Sequence, residues 1–445
     1  MERAEALMLS AQAKAAAARP KVLAEEEIAT VKAGEEGEVE TAAARPAREP
    51  WVLLSTFPRV VDRSGFLRVK DVSVELAPSP RVSLLSVARR VLTRKIQGVA
   101  MLPAILDSQY PYIAAVESSG GALLLCANHI SDWDDAVDPQ HHSTHYILCD
   151  AVSRSASAVV DLTINGHPGS IGLVRGESST KGRGPLTVAV LAPITNCNTA
   201  ELHSWSPKTK DNWVVRNLCC SRPNNTRRWG NDGTVTVGGL LCWVDLACGL
   251  LVCNPLGCDN VVRYIELPPG CDMSDSTDLD VLRNLHKTRS VGVSCGKLMF
   301  LDIYRSDEEP TLKMWSLDGI GADGDYHWVQ EYTLSFADMR NDVTYAEMLP
   351  QEEVLIFAAL DPCQPKIVYF LKGNLLFAID VLDKKVVERA KAECENPEGK
   401  VMSSRSMLTW KLPPALHHRI HGGSGSFSVV KRLLGLKTSE VVRER

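Results

Sequence analysis

In this chain of 445 residues the side chains best suited to chemistry are His141, His142 and His145, with Asp132, Asp134, Asp135 and Asp138 just upstream. Histidines four residues apart share one face of a helix, a spacing that zinc ligation uses. Pro139 before them and the apolar run Tyr146-Ile147-Leu148-Cys149 after them predict instead a surface loop entering a strand. No glutamate follows His141 to serve as a general base. Cys242, Cys248, Cys253 and Cys258 also cluster, but none has C-x-x-C spacing and Cys253 lies in an apolar run. No metal site is expected.

Two glycine-rich runs mimic phosphate cradles. Gly319-Ile320-Gly321-Ala322-Asp323-Gly324 satisfies G-x-G-x-x-G, yet a dinucleotide fingerprint turns from a strand into a helix. This run lies between Trp315 and Trp328, both in strand-like sequence, and so predicts a hairpin loop. In Gly176-Glu177-Ser178-Ser179-Thr180-Lys181-Gly182 the lysine precedes the second glycine and cannot reach the β- and γ-phosphates as a P-loop lysine does. No G-x-S-x-G elbow occurs. No catalytic residue and no cofactor are assigned.

Ser221-Arg222-Pro223-Asn224-Asn225-Thr226-Arg227-Arg228-Trp229-Gly230 contains no aliphatic residue, which predicts an exposed loop. Arginine and tryptophan are enriched at binding hot spots, so Arg227, Arg228 and Trp229 are the residues expected to meet a protein partner. The competing reading is arginine stacked on tryptophan within the loop, with no partner.

The elements that must hold these loops read as strands. Runs such as Thr234-Val235-Thr236-Val237, Val354-Leu355-Ile356-Phe357 and Lys366-Ile367-Val368-Tyr369-Phe370 are β-branched or aromatic and bounded by turn residues. A glycine followed by a tight apolar run recurs at Gly121, Gly249, Gly296 and Gly373. A second unit pairs tryptophans across a hairpin, Trp205 with Trp213 and Trp315 with Trp328. Recurring apolar strands with hairpin-linked neighbours are what propeller blades require, about 40–50 residues each. The expected fold is all-β, a propeller-like array of short antiparallel sheets with disordered or partly helical termini. The stretch from residue 51 to about 414 would hold on the order of six to eight blades; two packed sandwiches are the alternative.

Three segments are expected. Residues 1–49 are an Ala/Glu-rich tail without an aromatic residue, residues 50–414 the propeller-like domain, and residues 415–445 a basic flexible tail. Net charge of −5 gives no global attraction to nucleic acid, and no apolar run is long enough to span a bilayer. The amino-terminal residues lack a secretory pattern, and many of the 13 cysteines sit in apolar runs as small hydrophobes. The expected location is cytoplasmic or nuclear, with no membrane or nucleic-acid partner.

Trp243-Val244-Asp245-Leu246, followed by Gly249-Leu250-Leu251-Val252-Cys253 and Arg263-Tyr264-Ile265-Glu266-Leu267-Pro268-Pro269, resembles the core motif of the grass-expanded plant domain-of-unknown-function 1618 family. The core-motif likeness spans about residues 240–390. Trp51-Val52-Leu53-Leu54 and Pro80-Arg81-Val82-Ser83 resemble that family's opening. Ala247-Cys248 departs from it, where an aromatic and an arginine are usual. The Leu-x-x-Trp and Gly-x-Leu-Leu units also resemble propellers associated with plant F-box proteins, although residues 1–50 contain no F-box. Such resemblance implies no catalytic residues. It fits a non-enzymatic interaction module that recognises a protein partner through loops; the alternative is an enzyme of unknown reaction using a polar propeller pocket.

Overall fold

The β-branched and aromatic runs form strands because their side chains pack well on a pleated surface with neighbours on both faces. The computed structural model describes residues 50–61, 70–92, 111–117, 120–127, 146–159, 170–176, 184–194, 197–208, 212–222, 228–304, 310–320, 326–339, 342–348, 355–394 and 404–421. The expected tails, residues 1–49 and 422–445, lie outside the described residues.

Four strands come first: β1 (Trp51–Ser55), β2 (Arg59–Val61), β3 (Val72–Glu75) and β4 (Val82–Ala88). Five antiparallel four-stranded blades follow, the second and third joined at their outer strands by a short parallel pairing, Cys219↔Val261 and Cys220↔Val262, into one eight-stranded sheet. Blade I is β5 (Tyr112–Val116), β6 (Ala122–Cys126), β7 (Tyr146–Asp150) and β8 (Ser155–Ala158). Blade II is β9 (Ile171–Arg175), β10 (Leu186–Pro193), β11 (Thr199–Trp205) and β12 (Val214–Cys220). Blade III is β13 (Gly233–Val237), β14 (Leu240–Asp245), β15 (Gly249–Cys253) and β16 (Val261–Glu266). Blade IV is β17 (Arg289–Ser294), β18 (Lys297–Tyr304), β19 (Thr311–Asp318) and β20 (His327–Ser335). Blade V is β21 (Ile356–Leu360), β22 (Ile367–Lys372), β23 (Leu375–Asp380) and β24 (Lys385–Lys391).

The last described strand, β25 (Met407–Lys411), pairs antiparallel with β1 from Trp51↔Lys411 to Ser55↔Met407. Blade VI is therefore composite, with β25 beside β1 and then β4, which carries β2 and β3. Pairing the two distant ends of the domain in one sheet closes the array and removes the open edges that an unclosed one would expose.

Packing follows a ring. A core of buried residues lies between each pair of neighbouring blades: VI with I, I with II, II with III, III with IV, IV with V, and V with VI. Strand periodicity explains how one strand serves two cores. Along β18, Leu298 and Phe300 enter the core shared with blade III, while Met299, Leu301 and Ile303 enter the core shared with blade V. Six blades that each face two neighbours exclude a pair of sandwiches; the described residues form a six-bladed propeller.

The repeated units fall on defined strands. The glycine units enter β6 and β18, second strands, and β15 and β23, third strands. Gly121 and Gly296 take φ of +80° and +78°, and Gly373 +55°, which favours glycine. At Gly249 the cause is different: a Cβ there would lie 2.5 Å from the Ile265 carbonyl oxygen. Trp205 and Trp213 belong to the core between blades I and II, and Trp315 and Trp328 to the core between III and IV. Trp205 and Trp315 are buried, while Trp213 and Trp328 are half-buried. Apolar packing continues past residue 414, where the tail was expected to start: Leu416 is fully buried and Ile420 packs against the same core.

Candidate functional site

The first strands of the blades, β5, β9, β13, β17 and β21, together with β25, line one axial cavity of about 400 Å³. The residues that open these strands carry the polar groups of its lining. Tyr112 begins β5, Asp232 precedes β13, Arg289 begins β17 and Arg405 precedes β25. A ten-residue helix, α1 (Leu279–Thr288), enters β17 and adds His286. Its start is fixed by Asp278, whose carboxylate accepts from the amides of Asp280 and Val281.

Asp232 forms an ion pair with Arg405, and its other oxygen accepts from the Leu246 amide at 2.8 Å. Burial pushes the Asp232 carboxyl up to about 6; Arg405 opposes that shift and Asp245 adds to it. Burial, with Arg405 and Lys287 adding positive charge, pushes His286 down to about 3, so its imidazole is neutral at physiological pH. Tyr112 is raised by burial as well, against the pull of Arg405. Arg289 is committed to structure. It holds Asp302 at 3.2 Å and donates to the carbonyls of Leu246 and Cys271.

The turn Leu246-Ala247-Cys248 links this axial cluster to a second hollow further out. On its inner side Leu246 donates to Asp232; on its outer side the Cys248 carbonyl accepts from the Tyr264 hydroxyl at 2.6 Å. Tyr264, Arg222, Glu266, Pro268, Pro269 and Asp272 line that hollow, of about 340 Å³. Burial raises the Tyr264 phenol, and Cys248, Asp272 and Glu266 raise it further.

Asp245 organises the loop beside the hollow. It is fully buried, and it accepts from the Gly230 amide at 2.6 Å and the Ala247 amide at 3.0 Å. A Cβ on Gly230 would sit 2.9 Å from the Asp245 carboxyl carbon, so the approach needs glycine. Trp243, on the same strand, donates to the Ser170 carbonyl at 2.7 Å and fastens blade III to the start of β9. Within Trp243-Val244-Asp245-Leu246, then, these side chains and the Leu246 amide position loops.

Of the three residues expected to meet a partner, Arg227 lies outside the described residues and Arg228 is exposed. Trp229 corrects the reading of an exposed loop. It is 5% exposed and packs in the core between blades II and III with Leu218, Cys248 and Leu251. The Arg222 guanidinium lies 5.2 Å from its ring centroid and covers it. A loop without aliphatic residues can still contribute one large ring to a core when an arginine closes the solvent side.

His141, His142 and His145 with their neighbouring aspartates lie outside the described residues, as do residues 177–182 and 321–324 of the glycine-rich runs. The second run does fall between antiparallel strands β19 and β20. Cys242, Cys248 and Cys253 are buried and Cys258 exposed; burial pushes Cys253 up to about 12 and raises Cys242 as well. Among the described residues no group of three or more His, Cys, Asp and Glu is placed to hold a metal ion, and no helix is long and apolar enough to cross a membrane. Asp232, His286 and Arg405 were not singled out from the sequence, which carries no local signal for them.

A closed ring of six blades with a polar axial mouth defines the class as an all-β propeller. The family model described as "Protein of unknown function (DUF1618)" matches residues 243–369, from Trp243 on β14 to Tyr369 on β22, and supports that family. No curated protein matches the chain. Among solved structures, Penicillium chrysogenum alpha-L-arabinanase complexed with arabinobiose is 13% identical, with 63% of this chain and 80% of that one covered and a TM-score of 0.29. Apo AztD from Citrobacter koseri is 12% identical, over 66% and 75%, with a TM-score of 0.30. An Aleuria aurantia lectin variant in complex with alpha-methyl-L-fucoside is 8% identical, over 63% and 76%, with a TM-score of 0.31. At these scores none of the three bears on what this chain does.

Proposed function

We propose that the chain is a non-enzymatic binding scaffold that takes up a segment of a partner protein at the hollow lined by Arg222, with the exposed Arg228 further along the same loop. The observation that carries this reading is the 340 Å³ hollow itself, whose rim is held in advance. Asp245 fixes the loop backbone at Gly230, and Trp229 anchors the loop in a core. A pre-organised rim lowers the ordering cost of binding. Arg222 and Arg228 offer cationic contacts for an acidic residue, and Tyr264, Pro268 and Pro269 offer a surface for an apolar one. In this reading the compartment is the cytoplasm or nucleus.

The test is affinity purification with the whole chain as bait, compared with an Arg222→Ala/Arg228→Ala bait and an Arg389→Ala control on the outer strand β24. A partner retained by wild type and control at equal stoichiometry, and lost from the double variant, supports the reading. Equal retention by all three removes the hollow as the site.

A second reading, an enzyme of the axial pocket, has one observation in its favour: a carboxyl raised to about 6 and a neutral imidazole both line the cavity of about 400 Å³. Its test is a small-molecule turnover screen comparing wild type with Asp232→Asn. Turnover that survives the substitution counts against it.

A further inference from the structure

At the opposite end of the axial cavity, two-residue turns join first to second strands. The turn between β13 and β14 is Gly238-Gly239, with φ of +56° and +79°. Its counterpart between β17 and β18 is Cys295-Gly296, with φ of +51° and +78°. Glycine, asparagine and aspartate are the residues that such turns prefer. A cysteine held at positive φ is a departure that asks for a reason.

The neighbour of this cysteine supplies one. The Cys295 amide donates to the Pro362 carbonyl at 2.9 Å, and its thiol donates to the Cys363 carbonyl at 3.0 Å. One residue earlier, the Ser294 hydroxyl donates to the Asp361 carbonyl at 2.6 Å. Three successive contacts thus lace the tip of blade IV to the segment after β21 in blade V. A backbone hydrogen bond from Cys295 to the residue before Cys363 keeps the two Cα atoms within about 7 Å, the outer limit for a disulfide. Cys363 is held in turn by its own amide, which donates to Asp361 at 2.7 Å. Cys295 is exposed and Cys363 half-exposed, so a soluble oxidant can reach them. Cys149, Cys242 and Cys253 are buried instead.

We infer that Cys295 and Cys363 are a thiol–disulfide pair that cross-links blades IV and V when the chain meets a low-molecular-weight disulfide such as oxidised glutathione. The Cys295 thiolate attacks one glutathione sulfur, forming a mixed disulfide and releasing one glutathione thiolate. The Cys363 thiolate then attacks the Cys295 sulfur and displaces the second. Two electrons pass from the cysteine pair to glutathione, and the two thiol protons end on the two glutathione thiols. Excess reduced glutathione reverses both steps. The cross-link joins residues 68 apart in sequence, which restricts the unfolded chain. Gly296 and Pro362 line the axial cavity, so the bond forms at its wall, away from Asp232 and Arg405.

The experiment incubates the whole reduced chain in glutathione buffers of graded oxidised-to-reduced ratio, blocks remaining thiols by alkylation and maps peptides by mass spectrometry. The expected result is a loss of two mass units confined to one peptide pair containing Cys295 and Cys363, reversed by dithiothreitol and accompanied by a higher melting temperature. Cys363→Ser should stop at a glutathione adduct on Cys295, and Cys295→Ser should give no cross-link at Cys363. Two results would overturn the inference: a cross-link among Cys197, Cys219 and Cys258 in its place, or a wild-type chain that stops at the Cys295 adduct. Wild-type mapping decides the matter even if a variant folds poorly.

Discussion

Arg405 and Asp232 pair across 173 residues of sequence, the guanidinium entering from the turn before β25 and the carboxylate from the loop before β13. Breaking a buried pair by removing one partner strands the other charge, at a cost of about 3–5 kcal/mol. Asp232 has an escape, because burial has already raised its carboxyl to about 6 and it can take a proton. Arg405→Ala should therefore cost about 3 kcal/mol at pH 7.5 and clearly less at pH 5. Urea unfolding at the two pH values checks this; an equal loss at both would show that Asp232 does not protonate in response.

Stability should also depend on pH through two groups that act in opposite directions. His286 titrates near 6.5 when unfolded but near 3 in the fold. Between these values the unfolded chain binds a proton that the folded chain does not, so its contribution is full above 6.5 and lost as pH falls. Asp232 titrates near 3.8 unfolded and near 6 folded. The folded chain holds the extra proton there, so that contribution is present below 3.8 and lost as pH rises through 6. His286→Asn should flatten the loss of stability on acidification from pH 7 to pH 4.5, and Asp232→Asn should steepen it. Parallel unfolding curves at both pH values read the two slopes, and identical slopes in all three proteins would refute the assignment.

The blades were legible in the sequence and the site was not, for one physical reason. A strand buried on both faces leaves a continuous apolar run, and a turn at positive φ leaves a glycine; both marks are local. They located β6, β15, β18 and β23, but those are second strands in two blades and third strands in the others, which made the spacing look irregular. The Trp pairs kept their register, since both sit on the third and fourth strands of a blade or next to them. Ring closure, by contrast, joins Trp51 to Lys411, and the axial mouth gathers single residues from blades III and VI and from the helix α1. No window of sequence contains them together. Trp229 departs from the expected exposed loop because the polarity of a segment does not fix the exposure of each side chain in it, and a single ring can enter a core.

Closure itself is open to test. A chain ending at residue 403 lacks β25, which leaves β1 with an unpaired edge and removes Trp410 from the core between blades VI and I. An open edge of that kind is an aggregation hazard. The truncated chain should lose its single cooperative unfolding transition and associate, as read by calorimetry and light scattering. Trp410→Phe is the milder probe. It removes the indole hydrogen bond to the Glu117 carbonyl at 3.1 Å and part of a fully buried ring, for a loss of about 2–3 kcal/mol. A soluble, cooperative truncated chain would mean that β25 is not what closes the ring.

The last prediction separates the two roles of the loop beside the hollow. Trp229 fills a core with its ring, and Arg222 lies over that ring from the hollow side. Trp229→Ala empties a large buried volume and should cost about 3–5 kcal/mol, whatever the partner. Loss of binding in that variant alone would therefore say nothing about contact. Arg222→Ala removes the covering cation and exposes one ring face, for about 0.5–2 kcal/mol, while the Asp245–Gly230 hydrogen bond stays in place. Arg228→Ala, at an exposed position, should change stability by no more than about 0.5 kcal/mol. If Arg222 and Arg228 meet a partner, their variants should weaken its binding tenfold or more by titration calorimetry while remaining folded. Should both bind as wild type does, Arg222 serves only as a lid over Trp229, and the hollow is a by-product of how Asp245 turns the chain.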